Sequence, residues 1–90
     1  MAKEVIIGKK QAAFAKEAVN YPRAQRKRLA GTTKGTQAQF WAQYGITQSG
    51  GSRYETGREM DTPLRTLMIL HLSGIITDEQ LDAARMLSLQ

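Results

Sequence analysis

The segment from Thr36 to Arg58 twice opens a helix with a threonine and twice stops one with a glycine. Thr36 and Gln39 stand at capping-box spacing, in which the hydroxyl accepts from an early backbone N–H while the amide reaches back to the cap. That spacing predicts a helix over about 37–44. Gly45 takes a positive φ without steric cost and closes the turn. Thr47 caps the next helix, about 48–55, and Gly57 stops it. Two short helices joined by so tight a turn leave this part of the chain one shape, a bent pair.

The flanking sequence is helical too. Lys9 to Val19 is rich in Ala and Lys, with Ala12, Ala15 and Val19 spaced for one face and Phe14 nearby. Asn20-Tyr21-Pro22 interrupts it, because the residue before a proline is pushed out of the α region. Pro22 fits the first turn of a helix over roughly 22–31, which carries Arg23, Arg26, Lys27 and Arg28 around Ala24 and Leu29. Gly31 to Gly35 is a polar connection. Thr62 before Pro63 marks a further start, with Leu64, Leu67, Met68 and Leu72 on its apolar face, and Ser73-Gly74 ends it. A second capping box, Thr77 with Gln80, opens a last helix near 78–88, where Asp78 and Glu79 suit the positive end. Val5-Ile6-Ile7 is the one short strand-like cluster. The expected fold is all-α: a compact bundle of about five short helices containing a helix-turn-helix. Residues 1–21 are an extra N-terminal arm or helix, and 22–90 form the domain proper.

Charge is divided along the chain. Residues 1–58 hold eleven Lys/Arg against three Asp/Glu, whereas residues 59–90 hold two against five. Such asymmetry suits a chain whose first two-thirds face a polyanion while its tail contacts protein. The absence of cysteine excludes disulfides and thiolate metal sites, and His71 alone cannot build a metal centre. No apolar run approaches ~20 residues, so no membrane span is expected, and the apolar opening is too short for a signal peptide. An intracellular, cytoplasmic and nucleoid-associated chain is the simplest reading. Nothing resembles paired catalytic carboxylates, a nucleophile with its base, or a phosphate-cradling loop. The chain is expected to be no enzyme and to need no cofactor.

At residues 36–72 the pattern resembles the Cro/Xre helix-turn-helix family of bacterial and phage regulators, whose fold is lambda repressor-like. The matching features are Thr36-Gln37-Ala38-Gln39-Phe40, Gly45-Ile46-Thr47-Gln48, Arg53-Tyr54-Glu55-Thr56-Gly57-Arg58, and Pro63 opening an apolar helix. They cover about two-fifths of the chain, or over half if the basic helix 22–31 is the first helix of that fold. Two positions depart from the pattern. The family usually has a small residue where Trp41 stands and a branched apolar one where Gly51 stands. Large here meets missing, so the indole is expected to fill space vacated by Gly50 or Gly51.

The resemblance implies residue roles. Gln48 begins the recognition helix, and its amide matches adenine N6 and N7. Ser49, Ser52 and Arg53 complete the expected base contacts, each with a plain surface role as the alternative. Gln37, Thr56 and Arg58 resemble the family's phosphate clamps, and by charge alone Arg23, Arg26, Lys27, Arg28 and Lys34 form a phosphate-facing stripe, with an ordinary solvated face as the alternative. Glu55 would be repelled by phosphate and is expected to pair with Arg26 or Arg28. Tyr54, Phe40, Tyr44, Ile46 and Leu67 read as core. His71 is given no role.

The function implied is sequence-specific binding of double-stranded DNA by a transcriptional regulator, with helix 48–55 in the major groove. A homodimer would read two half-sites about 34–36 Å apart. The last helix, with Leu81, Ala84, Met86 and Leu87, or the N-terminal segment, would carry the dimer contact. The alternative is an antitoxin-like protein-interaction module that also binds DNA and meets its partner through residues 1–20. A third reading is non-specific, purely electrostatic binding of nucleic acid.

Overall fold

The computed structural model describes residues 7–89, so most of the Val5-Ile6-Ile7 cluster lies outside the described residues. Six helices and no strand make up what is described: α1 (Lys9–Asn20), α2 (Pro22–Arg28), α3 (Gln37–Ala42), α4 (Gln48–Glu55), α5 (Thr62–Leu72) and α6 (Asp78–Ser88).

The caps explain the boundaries. Thr36 accepts from the Gln39 N–H at 3.3 Å and starts α3, and Thr47 accepts from the Gly50 N–H at 3.1 Å and starts α4. Gly45, at φ 75°, lets the chain leave α3 with its own N–H on the Ala42 carbonyl and that of Ile46 on Trp41. Gly57 ends α4 in the same way, with the Arg58 N–H on the Arg53 carbonyl. Helix α2 stops at Arg28, short of the expected 31, because the Thr32 hydroxyl donates to the Leu29 carbonyl at 2.6 Å and turns the chain. Helix α5 begins at Thr62 as expected, and Asp61 caps it: its carboxylate accepts from the Leu64 N–H at 3.2 Å.

The core gathers Val19 of α1, Phe40 and Trp41 of α3, Tyr44, Leu64 and Met68 of α5, and Leu81 of α6. Phe40 meets Trp41 and Tyr44 edge to face, with ring centroids 5.3 and 5.9 Å apart. Tyr54, Ile46 and Leu67 are only partly buried and pack at the margin of this cluster. Helix α1 lies on α5 and buries Ala15, Ala18 and Val19, so its apolar face is spent inside the molecule. Helix α3 packs on α4, and α2 touches both α1 and α4.

A side-chain relay fastens the start of α6. The Tyr44 hydroxyl and His71 Nδ1 share a hydrogen bond at 2.8 Å, and Nε2 of the same ring donates to Asp78. With Nε2 protonated, a neutral ring leaves Nδ1 to accept from the hydroxyl. Burial, with the Asp78 charge behind it, raises the Tyr44 hydroxyl well above its ordinary pKa, and the bond from His71 lowers that of Asp78. Replacing His71 with leucine leaves the buried Tyr44 hydroxyl without a partner. His71→Leu is therefore expected to cost about 1–3 kcal/mol in thermal or urea unfolding. An unchanged midpoint would show that the relay holds nothing.

Candidate nucleic-acid interface

The outer face of α4 carries Gln48, Ser49, Ser52 and Arg53, and its inner face is shaped by one glycine. Gly51 is the buried residue of α4. A Cβ built there would lie 2.2 Å from Cδ1 and Cγ of Trp41, so the indole occupies the room that a side chain would take. Gly50 differs: its Cβ would meet the Ile46 and Thr47 side chains at 3.2 and 3.3 Å, a tight approach that a shift of a few tenths of an ångström relieves. Of the two glycines, Gly51 is the one that Trp41 requires.

The far end of α4 is pinned by a carboxylate. Glu55 Oε2 accepts from the Trp41 indole N–H at 2.7 Å and from Arg26 Nε at 2.9 Å, while Oε1 accepts from the other fork of the guanidinium at 2.9 Å. The Glu55 side chain is 2% exposed. Burial alone would raise its pKa, yet the bonds from Arg26, Trp41 and the Gln37 amide hold it below the usual carboxylate range. The same carboxylate raises the pKa of Arg26.

Gln48, Ser49 and Arg53 are exposed, and half-buried Ser52 shares their face of α4. Gln48 donates its amide N–H to Gln37 Oε1 at 3.4 Å, which aligns the first residue of α4 with the first of α3. Among the described residues the ion pairs engage only Arg26, Lys34 and His71, so Arg53 and Arg58 have no carboxylate partner. Lys27 is exposed as well, and with Arg23 it lines a cleft of about 410 Å³ that reaches Tyr54 and Gly57 at the end of α4.

Three residues expected at phosphates have partners within the protein. Arg26 gives two of its forks to Glu55 and a third donor to the Gly35 carbonyl at 3.2 Å, so it is a brace between α2 and α4. Lys34 is drawn to the acidic last helix, its Nζ shielded from solvent and 3.9 Å from Asp82. The Thr56 hydroxyl turns back onto the carbonyls of Ser52 and Arg53 at 3.0 and 3.1 Å, and its N–H is used within the same turn. No donor is left there for a phosphate. Arg28 lies over the Phe14 ring, 5.9 Å from its centroid, and so faces α1. Of the two arginines considered for Glu55, Arg26 is the partner.

Sequence reasoning missed the Trp41–Glu55 bond and the Tyr44–His71–Asp78 relay. No spacing announces either; an indole N–H placed in a core, which must find an acceptor, was the one available signal for the first. No helix among the described residues is long and apolar enough to cross a membrane, and no cluster of metal-ligating side chains is present among them.

A capped pair bent at a left-handed glycine, with a polar second helix braced from behind, is a helix-turn-helix, the element of DNA-binding regulators. The RsaL-like HTH domain matches residues 23–71, more than half of the chain, and the chain belongs to that family, which is related to the Cro/Xre-type regulators. No curated protein and no solved structure matches it.

Proposed function

We propose that this protein regulates transcription by binding a specific sequence of double-stranded DNA inside the cell, with α4 in the major groove. The observation that carries the reading is the outer face of α4: Gln48, Ser49 and Arg53 are exposed together, with no carboxylate partner among the described residues, on a helix whose inner face is fixed by Trp41 and Glu55. Gln48 and Arg53 read base edges, and Ser49 and Ser52 add shorter contacts. Gln37, Lys27, Arg58 and Arg23 hold the backbone around them. One eight-residue helix reaches few bases, so the protein acts as a homodimer on an inverted repeat.

Competitive titration tests the reading. A specific regulator prefers its operator, selected from random DNA, by ~10³ or more at physiological salt. Gln48→Ala should cost about 1–3 kcal/mol at one base position of that operator and nothing at the others. Lys27→Ala should weaken all sequences alike and flatten the salt dependence. A uniform loss with Gln48→Ala means that this residue does not read bases.

A further inference from the structure

Among the described residues, three buried side-chain polar atoms have no hydrogen-bond partner: Lys34 Nζ, Gln43 Oε1 and Arg85 Nε. They come from separate parts of the chain: the loop before α3, the residue that ends α3, and α6. Yet all three residues line one hollow of about 260 Å³, with Thr33, Gln39 and Asp82 also in its wall. A buried polar atom left unpaired bears the full cost of its desolvation, so such atoms are few in a native protein and each calls for a partner. Asp82 does not serve, because its carboxylate stays 3.9 Å from Lys34 Nζ, beyond hydrogen-bond length. Gln43 is 5% exposed, so its amide is held away from bulk water.

We propose that this hollow binds a small organic monoanion with a hydrogen-bond donor beside its charge, of the α-hydroxy acid class. Lys34 and Arg85 hold the carboxylate, and Gln43 Oε1 accepts from the hydroxyl. Charge selects the anion. Two cations, Lys34 and Arg85, face one carboxylate, Asp82, across the wall, so a single negative charge brings the site to neutrality. Asp78 is engaged by His71 and lines a neighbouring hollow, and Glu79 is exposed outside the wall. Size selects a small molecule, since pockets for drug-sized ligands run from about 300 to 1,000 Å³. The flexible Lys34 stem can turn its ammonium from Asp82 to a bound carboxylate, and Arg85 offers a planar fork. No residue of α4 lines the hollow, so the proposal stands apart from the reading of DNA.

Titration of the full chain with lactate at physiological salt, followed in proton–nitrogen correlation spectra, is the test. The Arg85 Nε–H and Gln43 side-chain amide signals should move together and saturate with a Kd at or below ~1 mM. Propionate, which has the carboxylate without the hydroxyl, should bind at least ~10-fold more weakly, as should the zwitterion alanine. Lys34→Met and Arg85→Met should each weaken lactate binding at least ~10-fold with unchanged circular dichroism. Gln43→Met keeps the volume and removes the acceptor, so it should bring lactate and propionate to equal affinity. If that variant does not fold, the ratio of the two acids on the parent decides the role of Gln43. No saturable shift by ~10 mM lactate means that water alone fills the hollow, and overturns the proposal. So does binding that Lys34→Met and Arg85→Met leave unchanged, or equal affinity of the parent for lactate and propionate. Tighter binding of alanine or of inorganic phosphate than of lactate overturns the ligand class.

Discussion

Gly51→Ala is expected to destabilise the protein by roughly 3 kcal/mol, although alanine in place of glycine ordinarily favours a helix by ~1 kcal/mol. The reversal has a geometric cause. The added methyl would sit 2.2 Å from a fully buried indole that cannot retreat, since Phe40 and Tyr54 flank it and Glu55 holds its N–H. Gly50→Ala is the control and should stay within about 1 kcal/mol of the parent, because its neighbours need yield only a few tenths of an ångström. In urea unfolding followed by circular dichroism, the two alanines one residue apart should therefore separate widely. In thermal unfolding the gap should exceed ~10 °C for a domain of this size. Trp41→Ala alone should cost about 3–5 kcal/mol. Trp41→Ala combined with Gly51→Val should recover part of that loss, since volume is restored across the same contact. Equal stabilities for Gly51→Ala and Gly50→Ala would mean that the indole does not need the gap.

Arg26→Ala is expected to cost about 3–5 kcal/mol at pH 7 and to weaken the acid response at Glu55. The loss arises because a carboxylate only 2% exposed keeps its burial and loses its charge partner. In the parent, Glu55 has a pKa below its unfolded value near ~4.3. The folded state then binds fewer protons than the unfolded one. Its contribution is complete above that unfolded value and disappears as pH falls through the folded pKa. Without Arg26, burial is opposed only by the bonds from Trp41 and Gln37, so the folded pKa of Glu55 rises and less stability is lost at this site on acidification. The free-energy difference between Arg26→Ala and the parent should therefore shrink from pH 7 to pH 3.5. Asp78 also titrates below its usual range, but it does so in both proteins and cancels in the difference. A gap that stays constant over that range would remove Glu55 from the account.

Local chemistry made much of the fold legible. Thr36, Thr47, Thr77, Gly45 and Gly57 act within a few residues of themselves, so sequence spacing suffices to place them. The pairing of an oversized Trp41 with an absent side chain was also readable, because each departure is anomalous without the other. Choosing between Gly50 and Gly51 was not, since adjacent helical residues differ only in which way they face. Asp61 and Thr62 are both competent caps, and Pro63 fits either register. The basic residues were legible as a group and illegible one by one. Arg26, Lys27 and Arg28 are consecutive, yet one turns to Glu55, one to solvent and one to Phe14. Which way each turns is decided by carboxylates and rings up to 29 residues away. Lys34 likewise answers to Asp82, a residue of the last helix.

The fit between Trp41 and Gly51 restricts how this domain can be re-engineered. Transplanting a whole reading segment from a relative that has a branched residue at the fourth place of that segment would collide with the indole. On the proposed reading, a swap of target preference is therefore confined to Gln48, Ser49, Ser52 and Arg53, with Gly51 and Glu55 left untouched. Alternatively, the host tryptophan has to be exchanged together with the graft.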